Sequence, residues 1–361
     1  MKKYFPLFWV FYLLCAFSAH AGEGRYTIPL TGGGWSLWLD KEASWQNDRL
    51  YLPHEITDLS LLPVNVPTGG WQTLSHNPDA VPVEVPGTVE EYLTVTDNPR
   101  PENFRGVSWW YRKITIPADQ QKKRFIIYFE SVRMRAEVYL DGKLVAYDLI
   151  GETPFHVDIT DEAKPGKEQL LAIRVTNPGG NFHWQDFDIM KWGEYNIPPS
   201  RSFTGIIGRV KLESVNPVFI SDIYMQNTPE LTKVNAILSF TNETSSSVKQ
   251  DVELIVNEKG NPDKVVFRQT LKAISFPAGN HEVTIPVNVP DAQLWDLSTP
   301  ALYTCNVLIK KGKKTLDQDK KDFGFRWFTV DGVGKDAVLR LNGRRIMLRS
   351  AISWGYFPVT G

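Results

Sequence analysis

Ala136-Glu-Val-Tyr-Leu-Asp-Gly-Lys-Leu-Val-Ala146 decides the fold. Ala136, Val138 and Leu140 alternate with Glu137, Tyr139 and Asp141, the period of a strand with one buried face. Asp141-Gly142 then reverses the chain into Lys143-Leu-Val-Ala146, a two-residue hairpin signal. The same period recurs outward from this point, in Leu171, Ile173 and Val175 and in Val252, Leu254 and Val256. It returns in Val283, Ile285, Val287 and Val289, and in Tyr303, Cys305, Val307 and Ile309. Arg124-Phe-Ile-Ile-Tyr-Phe129 reads as a buried apolar run. One helical start stands out, the capping box Thr88-Val-Glu-Glu91, with room for little more than one turn. Strands at this spacing without amphipathic helices between them predict antiparallel sandwiches, an all-β fold.

The chain of 361 residues implies two or three domains. Its net charge of −1 argues against a nucleic-acid binder, which carries a basic excess. Aromatic residues reach 12%, enough either for large cores or for platforms that receive the flat face of a sugar. Residues 1–21 read as an export signal: Lys2 and Lys3, an apolar run from Tyr4 to Leu14, and the small-x-small site Ala19-His20-Ala21. Leu14 is too bulky for a lipid-modified Cys15, so the mature chain is expected to start at Gly22, secreted or periplasmic in a bacterium. Cys305 is then the one mature cysteine, and no later stretch is long enough to span a membrane.

Composition shifts near Val215-Asn216-Pro217 and again near Asp331-Gly-Val-Gly334. They divide the chain into the signal at 1–21, an aromatic-rich domain at 22–216, and a domain of immunoglobulin size at 217–331. A short segment at 332–361 ends the chain. In that segment Asn342-Gly343 is a turn, and Ile346-Met-Leu-Arg-Ser-Ala-Ile-Ser353 reads as a buried strand of the parallel-barrel type. HExxH, CxxC, GxSxG and Walker A motifs are missing, and the histidines lack metal-ligand spacing.

In order, several stretches resemble the N-terminal part of glycoside hydrolase family 2, the β-galactosidases, β-mannosidases and β-glucuronidases. They are Val85-Pro-Gly-Thr88, Trp109-Trp-Tyr-Arg-Lys113, Val138 to Val145, Gly151-Glu-Thr-Pro-Phe155 and Val157-Asp-Ile-Thr160. Thr204-Gly-Ile-Ile-Gly-Arg-Val210, Leu294-Trp295, Pro300-Ala-Leu-Tyr303, Phe323-Gly-Phe-Arg326 and Leu341 to Leu348 complete the set. The resemblance implies a jelly-roll sugar-binding β-sandwich, an immunoglobulin-like β-sandwich, and the first strand of a truncated (β/α)8 barrel. Such a barrel needs about 200 residues or more, and roughly 25 follow the linker. The family's two glutamates, acid/base and nucleophile, sit on late barrel strands about 5 Å apart. No catalytic residue is therefore expected in this chain, which would be inactive alone as a fragment of an exported retaining exo-β-glycosidase. Two other readings compete with it: an autonomous, non-catalytic carbohydrate-binding module, and an adhesion module with no sugar site.

By the same resemblance, a loop in the segment Asn181 to Tyr195 approaches the sugar. Asp186 or Asp188 would contact a hydroxyl or a sodium ion, and Trp184 would stack on the sugar face. Asn103, in Pro101-Glu-Asn-Phe104, is a weaker match to a second contact. The expected partner is a carbohydrate substrate, with no nucleic acid. No cofactor is evident, although a sodium or divalent ion is compatible with the full-length enzyme. Neither a metal site nor an oligomeric state is set by the residues. Glu90 and Glu91 are read as a solvated helical turn, and Lys310-Lys311 with Lys313-Lys314 as a hairpin tip. Asn242-Glu-Thr244 matches a glycosylation triplet. Ile346, Leu348 and Ile352 are expected to be poorly covered.

Overall fold

The hairpin forms as its sequence requires. Asp141 and Gly142 take φ of 48° and 84°, the left-handed pair that matches strand twist. This computed structural model describes residues 24–44, 59, 64–93, 104, 106–133, 135–148, 151, 153–177, 190–192, 195–197, 204–334 and 337–351. The expected export signal at 1–21 lies outside them.

In chain order the first sandwich takes β1 (Tyr26–Pro29), β2 (Gly32–Asp40), β3 (Val81–Val85), β4 (Gly87–Thr88), β5 (Gly106–Thr115), β6 (Arg124–Phe129) and β7 (Arg135–Leu140). It continues with β8 (Lys143–Asp148), β9 (Phe155–Asp158), β10 (Glu168–Asn177), β11 (Met190–Trp192), β12 (Tyr195–Ile197), β13 (Gly205–Ile206) and β14 (Val210–Val215). A four-stranded sheet runs β1-β14-β6-β9, and a six-stranded sheet runs β3-β2-β5-β10-β7-β8. All their pairings are antiparallel. Trp110, Ile127, Phe129, Val138, Leu140, Ile173 and Leu212 fill the space between the sheets. The run Arg124–Phe129 is half as buried as expected, because only its alternate residues Phe125, Ile127 and Phe129 face that core.

The outer face of the six-stranded sheet is also covered. Trp109, Tyr111, Tyr139 and Ala172 pack there with Leu74 and Trp71 from the segment 64–80. Trp71, Trp109 and Tyr139 form a triangle of rings with centroids 5.0–5.7 Å apart. Neighbouring tryptophans thus serve opposite cores, Trp110 inside and Trp109 outside. These described aromatic rings go into packing.

The second sandwich has strands β15 (Val218–Asn227), β16 (Lys233–Asn242), β17 (Val248–Glu258), β18 (Val265–Phe276), β19 (Gly279–Asn288), β20 (Tyr303–Lys311) and β21 (Lys314–Phe323). Three strands in the order β15-β16-β19 face four in the order β18-β17-β20-β21, an immunoglobulin-like arrangement. Its core is apolar, with Phe240, Leu254, Val256, Phe276, Ile285, Cys305 and Val307. Burial pushes the Cys305 thiol up to about 12. The lysine-rich tip lies between β20 and β21, as expected. Asn242 is buried, and its Nδ2 donates to the carbonyls of Ser246 and Phe276 at 2.9 Å, so this triplet offers no free amide for glycosylation.

A small sheet follows: β22 (Phe328–Asp331), β23 (Val338–Leu341) and β24 (Arg344–Arg345), the last two joined through the expected Asn342-Gly343 turn. The strand expected from Ile346 onward is absent over residues 346–351. A parallel-type strand is held by neighbours on both sides, and beyond one hydrogen bond from Ile346 N–H to Leu339 O none pairs with it among the described residues. Met347 and Leu348 are exposed, Ile346 is half-buried, and Ile352 lies outside the described residues.

The sandwiches are clasped by Arg25. Its guanidinium reaches Glu213 on β14 at 3.2 Å, Asp317 on β21 at 3.1 Å and Asp319 at 3.3 Å. Asp317 is fully buried and also accepts the Ile220 N–H at 2.7 Å.

Candidate functional site

Two stretches that the sequence offers separately, Val85-Pro-Gly-Thr88 and Thr204-Gly-Ile206, are mated here. Gly205 pairs with Thr88 and Ile206 with Gly87. A Cβ on Gly205 would stand 2.3 Å from the Gly87 carbonyl oxygen, so only glycine allows the approach. Gly205 also exchanges backbone hydrogen bonds with Arg133 at 2.7 and 2.8 Å.

The short helix α1 (Thr73–His76) lies in the covering segment, and α2 (Val89–Tyr92) starts beside the mated strands. Thr88 caps α2 as the capping box predicts, its Oγ1 accepting the Glu91 N–H at 3.1 Å. Glu90 departs from expectation. It is buried rather than solvated, because the strand around Thr204 lies over it. Its Oε2 accepts the Thr204 N–H at 3.2 Å, while its Oε1 is buried without a hydrogen bond. Burial pushes its carboxyl up to about 7, against its own N–H, those of Thr204 and Phe104, and the charge of Arg133. Phe104 is buried too, and its carbonyl accepts from Asn177 Nδ2 at 2.6 Å. Glu90 thus ties together three chain segments, at residues 88–93, 104 and 204.

Asn103, Trp184, Asp186 and Asp188, the residues named as sugar contacts, lie outside the described residues. Phe104, the next residue after Asn103 in sequence, donates its backbone N–H to Glu90. The sequence signals the turn that carries Glu90 but not the strand that buries it.

A second polar cluster lies under the covering segment. Glu137 accepts from Arg135 at 3.1 Å, Arg174 at 3.0 Å and the Tyr139 hydroxyl at 2.8 Å. Asn65 Nδ2 donates to both of its oxygens, at 3.0 and 2.9 Å. Burial and the Glu137 charge push the Tyr139 phenol up. Every acceptor site of this carboxylate is taken, which makes it a structural group.

An open groove of about 550 Å³ lies further along the same outer face, between α1 and strands β2, β3, β5 and β10. Ser36, His76, Asn77, Tyr111, Arg112 and Lys113 line it. In the sequence Arg112 and Lys113 stand out only as part of the aromatic strand Trp109-Trp-Tyr-Arg-Lys113. Among the described residues no group of three or more His, Cys, Asp or Glu side chains is placed to hold a metal ion. The acids linked to an ion by resemblance, Asp186 and Asp188, lie outside them. No helix among the described residues is long and apolar enough to cross a membrane.

Two packed antiparallel sandwiches followed by a short sheet define a multidomain all-β protein. Family models match both sandwiches. The model of the sugar-binding domain of glycosyl hydrolases family 2 matches residues 33–197, and the model named glycosyl hydrolases family 2 matches residues 218–326. The chain belongs to this family and represents its N-terminal portion. A β-glucuronidase of Formosa agariphila is 27% identical over 267 residues, which is 71% of this chain and 26% of the relative. A β-galactosidase of Thermoanaerobacter pseudethanolicus is 27% identical over 261 residues, 72% of this chain and 33% of that protein. The chain therefore spans about a quarter to a third of these relatives. Among solved structures, a family 2 member from Bacteroides cellulosilyticus matches with a TM-score of 0.63 and 19% identity, over 88% of this chain and 38% of its own. A β-glucuronidase from Bacteroides uniformis matches with a TM-score of 0.61 and 20% identity, over 89% and 34%. These two share the fold.

Proposed function

We propose that the chain is the front part of an exported, retaining exo-β-glycosidase that removes terminal β-linked sugars, with glucuronides and galactosides the leading substrates. The ordered match to both family domains carries this reading. The relatives named above are a β-glucuronidase and a β-galactosidase. In this reading the glutamate pair lies outside the matched domains, and the first sandwich supplies loops that reach the sugar. Asn103, Trp184, Asp186 and Asp188 remain the proposed contacts, with Glu90 holding the base of the Asn103 segment. Exposed Phe328, Val330, Val333, Met347 and Leu348 fit an apolar seat for a further domain. The domain limits 22–216, 217–331 and 332–361 are part of the same proposal.

The test is hydrolysis of 4-nitrophenyl β-D-glucuronide and β-D-galactoside. The 361-residue chain should be inert, and extension through the coding sequence downstream of residue 361 should bring turnover. An inert extended protein would sink the reading. Export is checked by N-terminal sequencing of the secreted product, which should begin at Gly22. A binding module without catalysis is the second reading, favoured by the open groove beside Arg112. It predicts sugar affinity in the extended protein with no turnover.

A further inference from the structure

Lysines from both sandwiches meet beside the Arg25 clasp. Lys310-Lys-Gly-Lys-Lys314 forms the turn between β20 and β21, and Lys122-Lys123 immediately precedes β6. The junction brings the two stretches together. Lys123 Nζ donates to the Gly24 carbonyl at 3.0 Å. Gly24 in turn lies against β21, where a Cβ on it would stand 3.8 Å from the Leu316 carbonyl oxygen and from Asp317 Cα. Lys123 therefore feels the charge of Lys314, which together with burial lowers its pKa against the pull of Asp317. Within the hairpin Lys311 stands directly opposite Lys314, and like charges so placed work against the pairing.

Nearby acids are committed elsewhere. Asp251 holds Lys272 at 2.8 Å, Glu253 holds Lys310 at 2.9 Å and Arg268 at 2.6 Å, and Asp317 holds Arg25 at 3.1 Å. Lys122, Lys311 and Lys313 are exposed and form no ion pair among the described residues. Other lysines of the second sandwich do have acids, Lys233 with Glu230, Lys259 with Asp322 and Lys264 with Glu258. A chain whose net charge is −1 thus gathers Lys122, Lys123, Lys311, Lys313 and Lys314 at one end of the junction. A small anion gains little from any one exposed lysine. A polymer that repeats its charge engages several together, since each contact after the first is intramolecular. We propose that this cluster is a docking surface for a linear acidic polysaccharide, whose successive carboxylates Lys122, Lys311 and Lys313 receive. The choice of a polysaccharide rests on the family 2 reading, whereas the need for a polyanion follows from the cluster itself. The surface tethers the polymer and takes no part in bond cleavage.

Isothermal titration of the 361-residue chain tests this with sodium polygalacturonate, sodium D-galacturonate, dextran, polythymidylate and mixed phosphatidylglycerol–phosphatidylcholine vesicles. Per uronate, the polymer should bind about tenfold or more tightly than the monomer. Dextran should not bind, and about 0.5 M sodium chloride should release the polymer. The triple variant Lys122→Gln/Lys311→Gln/Lys313→Gln should lose about tenfold or more in affinity. Lys122→Arg/Lys311→Arg/Lys313→Arg should keep it, because the charge stays. The glutamine variant removes no ion pair among the described residues, so its thermal unfolding should match the parent's. Lys233→Gln/Lys259→Gln/Lys264→Gln removes the same charge elsewhere and should bind as the parent does. An equal loss in that control would mean attraction to the whole molecule and overturn the proposal. Polythymidylate or vesicles binding as tightly as the polymer, dextran binding as tightly, or no polymer binding at low salt would also overturn it. Polymer binding by an extended protein that hydrolyses nothing would sink the enzyme reading alone, whereas hydrolysis without polymer binding would sink this proposal alone.

Discussion

Glu137 in the first sandwich and Glu253 in the second each hold two cations, but in opposite surroundings. Glu137 and its partners Arg135 and Arg174 are all 2–3% exposed, locked under the covering segment. Glu253 takes Arg268 at 2.6 Å and Lys310 at 2.9 Å, whose side chains are 54% and 29% exposed. Water can replace the partners of Glu253 but not those of Glu137. The first sandwich therefore relies on a buried polar lock across a sheet face that ordinarily meets solvent. The second relies on an apolar core and, apart from the Arg25 clasp at Asp317, keeps its described ion pairs at the rim. A buried ion network adds little net stability, yet breaking it is expensive because its surviving charges stay buried.

The largest effect should come from Glu137→Gln. Removing the buried carboxylate that Arg135 and Arg174 both reach should cost about 3–5 kcal/mol in denaturant unfolding. A loss below 1 kcal/mol would erase the contrast between the sandwiches. Arg25→Gln comes next, at about 3 kcal/mol, since it strands the buried Asp317. Calorimetry should then resolve two transitions where the parent shows one, because the clasp between the sandwiches is gone. Persistence of one transition would show that they are joined by other means.

Glu90→Gln should act in the other direction and depend on pH. A carboxyl raised from 4.5 to about 7 on folding binds its proton more tightly in the folded state. Its stabilising contribution is full below pH 4.5 and lost as pH rises through about 7. The variant should match the parent at pH 4 and exceed it at pH 8 by about 3 kcal/mol at most. A gain that is the same at both pH values would contradict the burial argument. The smallest change should be Glu253→Gln, below about 1 kcal/mol and smaller still in high salt. A cost equal to that of Glu137→Gln would mean that exposure does not govern these pairs.

The hairpin at Asp141-Gly142, the cap at Thr88 and the alternating strands were legible because each is fixed by residues close in sequence. The family motifs extended that legibility to both sandwiches. Burial of Glu90 was not legible, since the strand at Thr204 that covers it arrives from far along the chain. Glu137 failed to signal its burial for a similar reason. It occupies the outward position of an alternating strand, and only the segment around Asn65 turns that face into an interior. The apolar run after Ile346 misled in the other direction. Composition marks it as sheet material, but pairing needs neighbours, and among the described residues it has none. The sugar contacts inferred by resemblance stay proposals, since they fall outside the described residues.

The edge pairing of β1 with β14 has a consequence for how the protein is made. Tyr26 is partnered by Ser214, so the four-stranded sheet is stitched from the two ends of the first sandwich. A ribosome must deliver almost the whole of that unit before its opening strand finds a mate. Contacts of such long sequence separation close slowly and leave apolar surface waiting. Newly made chains will pass through an interval in which the tryptophan-rich interior is open to chaperones and to one another.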